Sequence, residues 1–110
     1  MKPIDIAPRD LDTVQGILAR HIPLRDVRAF GSRVTQTAKP FSDLDLAVMG
    51  DRPLPDSLSA ELKEAFRESD LPFKVDVVDW ASTDAAFREI IIRQTVLLHK
   101  SAKPAPDETA

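Results

Sequence analysis

A chain of 110 residues, 43% of them hydrophobic and only three of them glycine, fits one globular domain able to bury about 65% of its unfolded surface. It contains no cysteine, which excludes a disulfide framework and a thiolate metal site. Its net charge of −3 argues against general nucleic-acid binding, which shows as a basic face. No apolar run approaches the length of a membrane span, and Met1-Lys2-Pro3 begins no signal peptide, so the expected location is the cytoplasm.

Residues 1–7 read as a short lead-in. Pro8 suits a first helical position, and Leu11, Val14, Ile17 and Leu18 recur at helical spacing, which predicts an amphipathic helix over about 8–20. His21 at its end is given no role. Pro23 stops the helix, and Val27 to Phe30 is the first predicted strand, broken at Gly31-Ser32. Gly31 lets the backbone come close to a ligand. Ser32 adds a hydroxyl beside N–H groups that a following helical turn would leave open to phosphate. Arg33 could reach the same phosphate or serve as a structural or solvated arginine. Lys39 and Pro40 read as loop.

The second predicted strand covers about 43–49, with Asp43 and Asp45 on one face and Leu44, Leu46 and Val48 on the other. A side-chain period of two sets the carboxylates side by side. Unaccompanied, such a pair repels; its natural use is to hold a hard cation, and Mg²⁺ is usually bound by one or two carboxylates plus substrate phosphates. Phosphate at one end and metal at the other make the stretch from Phe30 to Val48 a candidate nucleotide site.

Gly50 ends the strand and Asp51-Arg52-Pro53 is a turn. Pro55 opens a helix to about Ser69, with Leu58, Leu62, Ala65 and Phe66 on one stripe and a charged, solvated opposite face. Phe73 to Asp79 is a third strand, with Val75 and Val77 on one face and Lys74, Asp76 and Val78 on the other. Asp76 interrupts an apolar run, either as an edge carboxylate facing water or as a third metal ligand beside Asp43 and Asp45. A right-handed crossover would set the second and third strands parallel and adjacent. Asp79 reads as a hydrogen-bonding group at the strand end. Ser82 is the expected N-cap of a helix over 83–94, with Phe87, Ile90, Ile91 and Gln94 near one stripe and Ile92 off it, open to a partner-binding role. Thr95 to His99 closes the sheet, with His99 structural. The folded domain is expected over 1–100, followed over 101–110 by a polar tail without a core-forming pattern.

These elements predict a two-layer α/β (α+β) domain: a small mixed sheet of about four strands, helices on one face, and the three aspartates on the open face.

Gly31-Ser32, ten residues, then Asp43-x-Asp45 resembles the signature of the polymerase-β-like nucleotidyltransferase superfamily. The chain is similar in particular to its minimal nucleotidyltransferases (MNT), antitoxins to HEPN-domain toxins, and the resemblance covers about residues 8–100. It implies that Gly31 and Ser32 grip a triphosphate, that Asp43 and Asp45 with Asp76 bind two Mg²⁺ ions, and that AMP moves from ATP to a hydroxyl, expected to be a tyrosine, of a partner HEPN-type toxin in a hetero-oligomer. Relatives usually have a glycine inside the Gly-Ser turn where this chain has Gln36. The alternative is a binding module that neutralises the toxin by stoichiometric occlusion; the three aspartates favour the enzyme, and Gln36 and the small size favour the binder.

Overall fold

The computed structural model describes residues 3–102. Helix α1 (Pro8–His21) begins with proline in its first turn and buries Val14, Ile17 and Leu18, the stripe that the helical spacing anticipates. Strand β1 (Val27–Phe30) runs into the single-turn helix α2 (Ser32–Thr35), and β2 (Leu44–Val48) returns antiparallel to β1. Helix α3 (Asp56–Arg67) buries Leu62 and Phe66 and carries the chain to β3 (Val75–Asp79), parallel to β2. A 3₁₀ turn (Trp80–Ser82) leads to α4 (Ala85–Arg93), and β4 (Val96–His99) pairs antiparallel with β1. The strand order is β3-β2-β1-β4, the mixed four-stranded sheet expected from the sequence.

The main core lies on one sheet face, where Val27, Ala29, Leu44, Leu46 and Val48 meet the stripes of α1 and α3. Ile4 and Ile6, read above as lead-in, are buried in the same cluster. Asp5 N–H donates to the Arg33 carbonyl at 2.7 Å, which ties this segment to α2.

The second face is open only in part. Ile91 and Phe87 of α4 pack with Phe30, Ala47, Val78 and Trp80, and the Phe30 and Phe87 rings meet edge to face with centroids 6.0 Å apart. Helices therefore cover the first face, as expected, and α4 also covers one portion of the second.

Two local expectations are corrected. The N-cap of α4 is Asp84, whose Oδ1 accepts from Phe87 N–H at 2.8 Å, because Ser82 is taken up in the preceding 3₁₀ turn. Ile90, expected near the buried stripe, is 58% exposed, beside Ile92 at 67%. At the other end, Ser101 N–H and Ala102 N–H donate to Asp26 Oδ1 and the Pro23 carbonyl, so the chain stays attached through 102. The rest of the expected polar tail, 103–110, lies outside the described residues.

Candidate active site

The turn after β1 is built on two backbone positions. Gly31 has φ 81° and ψ −158°, and a Cβ there would collide with the Asp45 carboxylate, 3.2 Å from Asp45 Cγ. Glycine is thus required both for its dihedrals and because its Cα lies directly against Asp45. The Gly31 carbonyl then accepts from Val34 and Thr35 N–H at 3.0 Å each, which winds α2. Helix geometry leaves the first-turn amides at Ser32 and Arg33 without intrahelical acceptors, beside the half-buried Ser32 hydroxyl. Gln36 closes the turn in the left-handed region (φ 66°, ψ 31°), with its N–H on the Ser32 carbonyl. A glycine takes this conformation without penalty, the physical reason for expecting one here.

The carboxylates come together through sheet register. Asp45 in β2 pairs with Phe30 of β1 on one side and with Asp76 of β3 on the other. Asp43 stands just before β2, on the same side as Asp45 by strand alternation. Asp43 and Asp76 are exposed, and Asp45 is half-buried. Burial holds the Asp45 carboxyl above its ordinary value, and the negative charges of Asp76 and Asp43 push it further in the same direction. Repulsion from both partners is what a shared electrostatic site requires. Among the described residues, no three acidic or histidine side chains stand close enough to enclose an ion without rearranging. The donor set is nonetheless all carboxylate oxygen, the chemistry that suits Mg²⁺ with phosphate completing the shell.

Arg33 differs from its phosphate-binding expectation. It is 5% exposed, and its guanidinium donates to the carbonyls of Asp5 (2.8 Å), Pro40 (3.1 Å) and Ser42 (2.7 and 3.0 Å) while lying 4.2 Å over the Phe73 ring. Four of the five N–H donors of this buried fork are taken up by backbone carbonyls, which holds it in place as a structural group and turns it away from a nucleotide. It braces the loop that delivers Asp43 to the site and fastens that loop to the entry of β3.

Residues 12–103 match the family described as polymerase beta, nucleotidyltransferase. The chain belongs to this family. The nucleotidyltransferase is 46% identical over 107 residues to the probable protein adenylyltransferase MntA of Haemophilus influenzae, covering 97% of this chain and 94% of that protein. It is similar to a chain in the crystal structure of a toxin–antitoxin with AMP-PNP, at 26% identity and a TM-score of 0.69, over 84% of this chain and 75% of that one. A chain from a complex of the tri-AMPylated HEPN toxin of Shewanella oneidensis with an MNT antitoxin shares the fold, with a TM-score of 0.62 at 23% identity over 84% of this chain and 71% of that one.

Two further features of the nucleotidyltransferase border the site. Asp79 has the structural role expected for it: its Oδ2 accepts from Leu54 N–H at 2.6 Å and secures the segment entering α3. A groove of about 570 Å³ runs beside Asp43 and Asp76, between the β3 edge and the second half of α3. Sequence reasoning passed over this groove because its cations, Lys63 and Arg67, sit on a helix face that reads as plain solvated surface. Among the described residues no helix is long and apolar enough to cross a membrane.

Proposed function

We propose that the protein transfers AMP from ATP to a hydroxyl of a partner protein, a HEPN-type toxin whose modified residue is a tyrosine, and so acts as its antitoxin. The observation that carries this reading is the register pairing of Asp45 with Asp76, with Asp43 alongside and Gly31 pressed against Asp45. The 46% identity to a probable protein adenylyltransferase supports the nucleotide and the protein acceptor. The toxin–antitoxin solved with AMP-PNP supports a hetero-oligomer, and the complex of a HEPN toxin with an MNT antitoxin supports the partner class. The cytoplasm, where ATP and Mg²⁺ are both abundant, is the inferred place of action.

In this reading the Gly31–Ser32 turn orients the triphosphate through the Ser32 hydroxyl and the first amides of α2. Asp43, Asp45 and Asp76 would hold two Mg²⁺ ions, which when bound neutralise phosphate oxygens and lower the pKa of the attacking hydroxyl. Asp76, exposed and lining the groove, accepts the hydroxyl proton on a carboxylate oxygen. The hydroxyl oxygen bonds to the α-phosphorus, the bond from that phosphorus to the bridging oxygen of the β-phosphate breaks, and pyrophosphate leaves with the electron pair. Arg33 takes no part in the chemistry; it positions Asp43.

The test is transfer of label from ATP marked on the α-phosphate to the partner, with the intact chain and with Asp43→Asn/Asp45→Asn. Label only with the intact chain, together with lost neutralisation by the double mutant, supports transfer as the mechanism. Full neutralisation by the double mutant at equal concentration establishes stoichiometric occlusion instead.

A further inference from the structure

The edge of the sheet beside the carboxylates has unused hydrogen-bonding capacity. Among the described residues no strand lies beyond β3. Leu44 N–H donates to the Lys74 carbonyl at 2.8 Å, and Leu44 pairs with Val75 and Asp45 with Asp76. In a parallel ladder this phase turns the backbone groups of Lys74, Asp76 and Val78 toward β2. The N–H and C=O of Val75 and Val77 therefore face outward, one residue to either side of Asp76.

We propose that this edge is the docking strand for the acceptor. An extended acceptor segment adds to β3 at Val75 and Val77 and so brings its hydroxyl to Asp76, and it is acidic at the residues flanking the one that is modified. The docking rests on the transfer reading above; the mode and the acidic preference are its additions. Strand addition obtains affinity from main-chain hydrogen bonds and specificity from alternate side chains. The segment's alternation therefore fixes what each of its residues meets. The residue on the Asp76 side carries the hydroxyl, and its immediate neighbours point across the edge toward α3.

On that side the groove presents Lys63 and Arg67, one helical turn apart and both exposed, over a floor that includes half-buried Val75 and Val77. Among the described residues, Arg67 is engaged by an exposed pair with Glu64 at 2.8 Å, a weak competitor in water. Lys74 adds a third cation at the strand's entry. Lys63, Arg67 and Lys74 outnumber the two acids of the lining, Asp43 and Asp76, so the groove carries a net positive charge complementary to an acidic segment. Phe41, 77% exposed at the groove's mouth, supplies an apolar surface for an aromatic hydroxyl-bearing side chain.

Amide hydrogen exchange on the full chain, loaded with Mg²⁺ and a non-hydrolysable ATP analogue, tests this directly. The probes are two short synthetic peptides, each with a single tyrosine, flanked by glutamates in one and by lysines in the other. The glutamate peptide is expected to slow exchange at the Val75 and Val77 amides by about tenfold or more, the lysine peptide to leave them unchanged, and Lys63→Glu/Arg67→Glu to abolish the difference. Equal responses to both peptides, protection confined to other amides, or no protection by either peptide overturns the docking mode. Calorimetric binding of the nucleotide and label transfer to the whole partner are read separately. Intact transfer with unprotected Val75 and Val77 therefore removes the docking mode alone.

Discussion

Replacing Asp45 by asparagine should stabilise the protein in the absence of divalent cations, an unusual sign for a half-buried site. Adjacent strands lie about 4.8 Å apart, and two unit charges at roughly 5 Å repel by about 0.8 kcal/mol in water-like surroundings and about 3 kcal/mol at an effective dielectric near 20. Asp45 is half-buried and Asp76 exposed, so screening keeps the effect near the lower end, about 1 kcal/mol. For a domain of this size that raises Tm by roughly 4–8 °C. The pH dependence fixes the sign independently. The raised carboxyl of Asp45 makes the native state bind more protons than the unfolded chain, so its contribution falls as pH rises through the native value and vanishes below the ordinary value of 3.8. The advantage of the mutant should accordingly be full at neutral pH and close at strongly acid pH. Mg²⁺ with ATP should reverse the order. The parent gains roughly 2.7 kcal/mol at about 100 times the dissociation constant, and the mutant much less. Thermal melts of both proteins, in chelator and in Mg²⁺–ATP, decide the matter. A mutant that melts clearly lower in chelator, with the Mg²⁺–ATP increment unchanged, would refute a shared carboxylate site.

Three other substitutions separate the parts of the turn. Ser32→Ala should lose transfer while changing ligand-free stability by less than about 1 kcal/mol; a loss of several kcal/mol without ligand would make the hydroxyl structural. Arg33→Met should cost about 3 kcal/mol or more in denaturant unfolding, since the carbonyls of Asp5, Pro40 and Ser42 lose a buried charged donor. A mutant of parental stability with only a raised KM for ATP would return Arg33 to the phosphate. Gln36→Gly relieves a left-handed residue, worth about 1–2 kcal/mol, against about 0.5–1 kcal/mol of added chain entropy. Its unfolding midpoint should be unchanged or slightly higher with transfer retained, and a clear loss of stability would show that Gln36 itself holds the turn.

What the sequence discloses follows from what is local. Asp43, Asp45 and Asp76 are legible because strand alternation and a βαβ crossover fix both their face and their neighbours. Gly31 is legible as a position of close backbone approach, although the sequence suggests a ligand there and the structure sets Asp45 against it. Arg33 is not, because its partners are carbonyls at Asp5, Pro40 and Ser42 and a ring at Phe73, which no side-chain pattern reveals. The α4 stripe shows that one helix face is buried but not against which sheet face. Phe87 and Ile91 settled on the second, leaving Ile90 outside. Ser82 and Asp84 are both good caps, and only the 3₁₀ turn after β3 decides between them.

The most direct measurement of the central claim is the intact mass of the HEPN-type partner after co-expression with this chain or with its Asp76→Asn variant. The account predicts partner heavier by whole AMP units with the intact chain and by none with the variant, although both chains bind the partner. Partner of unaltered mass with the intact chain, or equal AMP addition with Asp76→Asn, would contradict it.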